Sequence, residues 1–233
     1  MPSTYHTSPG VRVEEIPSGA RSIEAVGTST AAFIGYAPQA NAHLNEAFAV
    51  NNWSQFVKEF VPAENPASTP LSNGVAGFFQ NGGSRCYVVN IPRGDAIAGV
   101  AKPKRTGLKL LEEIDDISIV AAPGCTDPYS HQALHTFVEN NPYCFAILDL
   151  PDVPDVDLLK TVESVPIPAS SRKGGDEDGG SAAPPGLRPP LSKDGRTAVY
   201  YPNLIIADPL SAASVPVECS PSGFMAGVYA RID

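Results

Sequence analysis

The chain has 233 residues, of which 42% are hydrophobic and 18% charged, so it can bury a core as one large or two small domains. Its formal net charge of -9 argues against nucleic-acid binding, and its short basic cluster, Lys102, Lys104 and Arg105, predicts a solvated loop. Residues 2–10 are polar, and no apolar run approaches the roughly 20 residues of a membrane span, so we expect neither a signal peptide nor membrane insertion.

An extended arm is predicted over residues 1–24. Val11 and Val13 alternate with Arg12 and Glu14, which is the two-residue period of a half-buried strand. A strand of about six residues is not stable alone in water, and no hairpin partner follows it directly. We therefore expect this strand to pair with a sheet elsewhere, on another copy of the chain. The strand comprises Val11, Arg12, Val13, Glu14, Glu15 and Ile16, and the candidate hinges are Ser18, Gly19 and Gly27.

Apolar strands alternate with amphipathic helices over residues 25–165, the predicted body. The helix at 128–140 has the clearest start, with Asp127 as N-cap and Pro128 at the first helical position. The alternation predicts an α/β fold, an open and largely parallel sheet flanked by helices. The predicted strands are 30–36, 86–91, 117–121 and 144–150, and the predicted helices are 52–60, 71–80, 106–113, 128–140 and 156–163.

The alternation is interrupted at residues 166–196. This segment is rich in Gly and Pro and poor in apolar residues, which predicts a long, flexible surface loop. Strand character returns at 197–206, where Pro202 predicts an edge position or an interruption. A last helix is predicted from Ser220 and Pro221 to about Ala230, so residues 197–233 continue the α/β body.

Cys125, His131 and His135 are the residues that could carry chemistry. Cys125 follows a predicted strand and precedes a helix, where open α/β folds place active sites, and either histidine could act as its base or contribute to a metal site. However, both histidines lie on the helix itself, and Asp127 would oppose a thiolate. Structural histidines and a passive thiol are the better interpretation, and the scattered cysteines predict reduced, buried thiols. We expect no catalytic or metal site and no cofactor.

Three blocks of sequence lie in an informative order. They are PGVRVEEIPSGARSIEAVGTSTAAFIG near the N-terminus, LSNGVAGFFQNGGSRCYVVNIPRG at 71–94, and PSGFMAGVYARID at the end. Together they bracket nearly the whole chain. Their conjunction resembles the contractile-tail sheath proteins of phage tails, R-type pyocins and extracellular contractile injection systems.

This resemblance implies a structural subunit and not an enzyme. The subunit would repeat in a helical sheath around an inner tube and contract by interface rearrangement, driving the tube through a target envelope. The implied partners are other copies of the chain, the inner tube protein, and baseplate and terminal cap proteins. The implied location is the bacterial cytoplasm during assembly, and then a phage tail or an extracellular phage tail-like particle.

Sheath proteins generally continue well past the segment that Tyr229, Ala230 and Arg231 resemble. The resemblance implies that the further part holds the sheet that receives neighbouring arms, and we expect that C-terminal part to be absent from a sequence that stops at Asp233. Three alternatives stay open: a fragment of a longer sheath protein, a truncated paralogue acting as an end adaptor, and a soluble α/β enzyme with a Cys/His site.

Overall fold

The computed structural model describes residues 30–152, 192 and 194–232. The predicted arm, with its strand at 11–16 and its hinges at Ser18, Gly19 and Gly27, lies outside the described residues. So do the predicted helix at 156–163 and most of the predicted loop at 166–196. These assignments therefore stay predictions.

Six strands form the main sheet, in the spatial order β2-β3-β1-β4-β5-β6. β2 runs antiparallel to β3 at one edge, and every other neighbouring pair is parallel. This confirms the predicted open, largely parallel α/β sheet. The strands are β1 (Thr30–Gly35), β2 (Ala47–Val50), β3 (Cys86–Asn90), β4 (Ile117–Ala121), β5 (Phe145–Asp149) and β6 (Thr197–Tyr200).

Helices cover both faces of this sheet. On one face lie α1 (Trp53–Phe60), α2 (Pro70–Gln80) and α4 (Ser222–Ile232), which share an apolar cluster with Phe33 of β1. On the other lie a 3-10 helix (Gly107–Glu113) and α3 (Pro128–Asn140), which pack with Ile34 of β1. Because β1 is covered on both faces, all six of its residues are buried, which explains its unbroken apolar sequence.

Side-chain caps fix where the helices begin. Asn52 accepts a hydrogen bond from the backbone N–H of Gln55 at the start of α1, and Thr69 and Ser72 form a reciprocal capping box at the start of α2. Asp127 Oδ1 accepts from the backbone N–H groups of Tyr129 and Ser130, so the predicted N-cap of α3 is confirmed.

Two short strands and one break differ from the sequence-based expectation. The predicted strand at 197–206 is two strands, because β6 ends at Tyr200 and Pro202, which has no N–H to donate, stands before the next one. That next strand, β7 (Leu204–Ala207), pairs antiparallel with β8 (Pro216–Cys219) in a separate two-stranded sheet. Neither β2 nor β8 was predicted, and residues 107–113 form a 3-10 helix where an ordinary helix was expected.

The outer edge of β2 is closed by a side chain. The backbone N–H of Asn51 donates to Gln55 Oε1 at 3.0 Å, and Gln55 Nε2 donates to the carbonyl O of Ala49 at 3.3 Å. Gln55 thus supplies an acceptor and a donor where a further strand would otherwise pair. Within the described part of the chain, no helix is both long and apolar enough to cross a bilayer.

Candidate functional site

The first candidate site is the crevice at the carboxyl ends of β1, β4 and β5. The chain leaves β1 for β3 on one side and later reaches β4 on the other, so the strand order reverses there, as it does at the ligand sites of open α/β folds. Cys125, Asp127 and His131 all lie after β4 at this end, as the sequence predicts. The question is whether their geometry can support chemistry.

Cys125 is a thiol and not a thiolate. Burial, with a contribution from the negative charge of Asp127, raises the pKa of Cys125 to about 11. Burial alone would also raise the pKa of Asp127, but hydrogen bonds from Ser130 and Tyr129 outweigh that effect and lower it below its usual value. A charged carboxylate therefore stands beside the sulfur, and Cys125 lacks the cationic setting of a reactive cysteine.

The two histidines attach α3 to the sheet. His131 is buried, and its Nε2 lies 2.8 Å from the backbone O of Asp149, to which it donates. Burial lowers the pKa of His131, which favours the neutral ring. His135 Nδ1 lies 3.4 Å from Thr197 Oγ1 on β6, and its Nε2 lies 3.4 Å from Glu139 Oε1. In the described ranges, no three His, Cys, Asp or Glu side chains are placed to hold a metal ion.

Asp149 occupies the place in the crevice where an anion would bind. Its Oδ1 accepts from the backbone N–H of Ser222, the first residue of α4, at 2.9 Å. Its Oδ2 accepts from the Ser222 hydroxyl at 2.6 Å and from the backbone N–H of Gly124 at 3.3 Å. A helix N-terminus is a ready anion site, and here the chain's own carboxylate takes it. Sequence reasoning missed Asp149, and its one signal is an acidic residue ending the apolar strand FAILD.

The second candidate site is the contact between α2 and α4, which is close enough to exclude side chains. A Cβ atom on Gly223 would lie 2.2 Å from the carbonyl O of Gly74, and one on Gly227 would lie 2.5 Å from the carbonyl O of Phe78. The helices run parallel, since Gly74 faces Gly223 and Phe78 faces Gly227. This contact joins two of the three blocks that carry the sheath resemblance, LSNGVAGFF and PSGFMAG. It makes α4 a rigid part of the body.

A third concave feature is a groove of about 670 Å³ between α3 and the segment at 94–109. Its α3 wall is a single helical stripe, and an ion pair between Lys109 and Glu112 at 2.6 Å lies on the opposite wall. Asp127 also borders the groove, but its oxygens cap α3. The α3 stripe consists of Tyr129, Gln132, Ala133, Thr136, Phe137 and Asn140.

Comparison with solved structures finds contractile particles. The helical sheath of the anti-feeding prophage in its contracted state matches with a TM-score of 0.55 and 23% identity, over 98% of this chain and 53% of that chain. The sheath complex of the extracellular contractile injection system PVC, also contracted, gives 0.56 and 22%, over 99% and 52%. The contracted baseplate of the anti-feeding prophage gives 0.59 and 23%, over 96% and 54%.

These likenesses show that the chain has a sheath-like fold. The fold expected from the three sequence blocks is thereby confirmed, and the structural neighbours are sheath and baseplate components. The chain spans about half the length of the solved chains that it matches. No family model and no curated protein matches it.

Proposed function

We propose that the protein is a structural subunit of a contractile sheath that surrounds an inner tube. The observation that carries this proposal is the match of 96% to 99% of the chain to sheath and baseplate structures, at TM-scores of 0.55 to 0.59. A heterologous contact between identical subunits propagates instead of closing, which is the geometry that a helical tube needs.

The crevice supports a structural role over an enzymatic one. Asp149 takes the amide donors at the start of α4, Cys125 is held as a thiol, and His131 is used to attach α3 to β5. An α/β fold by itself does not imply catalysis. No described feature favours the alternative of a Cys/His enzyme, and we propose a protein without catalytic activity.

In the proposed mechanism, the arm links subunits and the α/β body moves. The strand at 11–16 adds to a sheet of a neighbouring copy, where main-chain hydrogen bonds give affinity and alternating side chains give register. Ser18, Gly19 and Gly27 act as hinges. Contraction brings the bodies into denser contact, and its free energy is the difference between two states of the interfaces.

The further partners follow from this role. They are the inner tube, the baseplate and a terminal cap, with no part for nucleic acid or membrane insertion. Assembly would take place in the bacterial cytoplasm, and the finished particle would be a phage tail or an extracellular injection device. The fold is common to these particles, so it favours none of them over the others.

Val13→Pro in the natural full-length protein tests the role of the arm. Proline removes a backbone donor and disturbs strand pairing, so particles with normal sheaths should be lost. Val13→Thr is the matched control, because it keeps the β-branched shape and the N–H group. The readout is negative-stain electron microscopy of purified particles.

Cys125→Ala completes this experiment and should leave sheath length and number unchanged, because the thiol has no role in assembly. Full-length sheaths built from Val13→Pro would show that the arm is not a strand linker. Loss of a measurable catalytic activity in Cys125→Ala, with assembly unaffected, would favour the enzyme alternative.

A further inference from the structure

Asp149 is the only carboxylate that is fully buried within the described residues, with 1% of its surface exposed. It lies at the carboxyl end of β5, where the loop after β4 and the N-terminus of α4 converge on it. Burial of a charged group without a paired cation is costly, so its hydrogen bonds and its charge state matter to the elements around it.

The carboxylate joins elements that are distant in sequence. Its bonds to the Ser222 N–H and hydroxyl cross 73 residues and hold the first turn of α4, while its bond to the Gly124 N–H crosses 25 residues and holds the β4–α3 loop. Asp149 therefore does for α4 what an N-cap side chain does for its own helix, but from another element.

We propose that Asp149 is a pH-responsive latch, in which a change in the charge of its carboxyl group changes how firmly α4 is held against β5 and the β4–α3 loop. The geometry requires this coupling, because the group that would gain or lose the proton is the same one that accepts the bonds from Ser222 and Gly124. The inference concerns the body alone and does not depend on the proposed role in a sheath.

The direction of the effect follows from the pKa. Burial raises the pKa of Asp149 from 3.8 to about 6, against the hydrogen bonds from Ser222 and Gly124, which lower it. A group whose pKa is raised on folding stabilises the fold most below its unfolded pKa, and that contribution is lost as the pH rises through the folded pKa. The latch should therefore hold α4 more firmly in mild acid than at neutral pH.

The other titratable groups around Asp149 change little over this range. From the neighbouring elements, the thiols of Cys125 and Cys219 face it, and burial raises the pKa of each to about 11, so both stay neutral. Asp127, whose pKa is lowered, stays charged. His131 on α3 is the remaining group, because it contacts the backbone O of Asp149, and the experiment must separate its titration from that of Asp149.

Amide hydrogen exchange in α4, corrected for intrinsic rates and measured between pH 4 and pH 7, tests the latch. In the wild type, protection of residues 222–232 should fall by roughly 100-fold across this range, since each unit of pKa shift is a factor of ten. In Asp149→Asn, which cannot ionise, protection should stay level. A wild type without pH dependence, or a variant that keeps it, would overturn the proposal.

Two further variants keep the test decisive if Asp149→Asn does not fold. Ser222→Ala removes a hydrogen bond that favours the charged form, so the midpoint of the Asp149 carboxyl titration, followed by ¹³C NMR, should move above that of the wild type. His131→Gln should leave the pH dependence of α4 in place. An unchanged midpoint in Ser222→Ala, or a dependence that disappears in His131→Gln, would show that Asp149 is not the titrating latch.

Discussion

Asn90 is a fully buried amide at the end of β3, and its side chain holds the segment that follows β1. Its Oδ1 accepts from the backbone N–H of Ala37 at 2.8 Å, and its Nδ2 donates to the carbonyl groups of Ala40 and Ala42 at 3.0 and 2.7 Å. One side chain thus satisfies backbone groups that are buried away from strands and helices. Polar residues in such places stabilise a fold through the groups that they keep from being orphaned.

Asn90→Ala should lower the free energy of unfolding by about 3 kcal/mol, because each buried polar group left without a partner costs about 1–3 kcal/mol. Urea unfolding followed by circular dichroism measures the loss. Asn141→Ala is the matched control, because its amide donates a single bond to the carbonyl O of Phe137 near the end of α3. A loss no larger for Asn90→Ala than for this control would contradict the role given to Asn90.

The α2–α4 contact and the closed β2 edge are properties of elements. In α2 and α4, glycine permits two parallel helices to touch backbone to backbone, although glycine within a helix lowers its intrinsic stability by about 1 kcal/mol. In β2, one glutamine closes an edge that would otherwise offer free N–H and C=O groups to another chain. Both features trade local preference for a defined neighbour.

Gly223→Ala should destabilise the body by more than about 3 kcal/mol, because the new Cβ would meet the carbonyl O of Gly74 at 2.2 Å and the backbones must separate. The measurement is the shift in urea midpoint, with exchange in α4 as a local readout. Gly94→Ala is the control, since it has a φ of +92° but open space around it, and should cost only about 1 kcal/mol. Equal losses for both variants would mean that the helices are not in the contact described.

Gln55→Ala should open the edge of β2 while changing the free energy of unfolding by less than about 1 kcal/mol, because the freed backbone groups at the edge can bond to water. We expect faster self-association during storage, measured by light scattering. Gln132→Ala on α3, where the amide contacts only Thr136, is the matched control. Identical scattering from both variants would show that Gln55 does not protect the edge.

Elements with a strong local pattern could be predicted from the sequence, and those set by distant partners could not. β1 and α3 were predicted to within one residue, because one is an unbroken apolar run and the other has Asp127 and Pro128 at its start. β2 and β8 have four residues each, so only their pairing partners define them. Asp149 acts on a residue 73 positions away, a distance that no local pattern reports.

At the scale of the whole molecule, the body is a rigid α/β unit whose usual ligand crevice is filled by its own side chain. Helices cover both faces of the sheet, the α2–α4 contact fixes the last helix, and the fold matches sheath and baseplate structures. A body of this kind suits a role in which whole subunits move and their interiors do not. This is why we place the working parts of the protein in its contacts with other copies.

The central claim is that this body is a repeating unit of a sheath lattice. The most direct measurement is a helical reconstruction by cryo-electron microscopy of particles purified with the natural full-length protein. We predict that the six-stranded body, with α2 and α4 in parallel contact, fits the density once in every repeat around the inner tube. Particles whose sheath density has no place for this body, while the protein stays in solution as a monomer, would contradict the account.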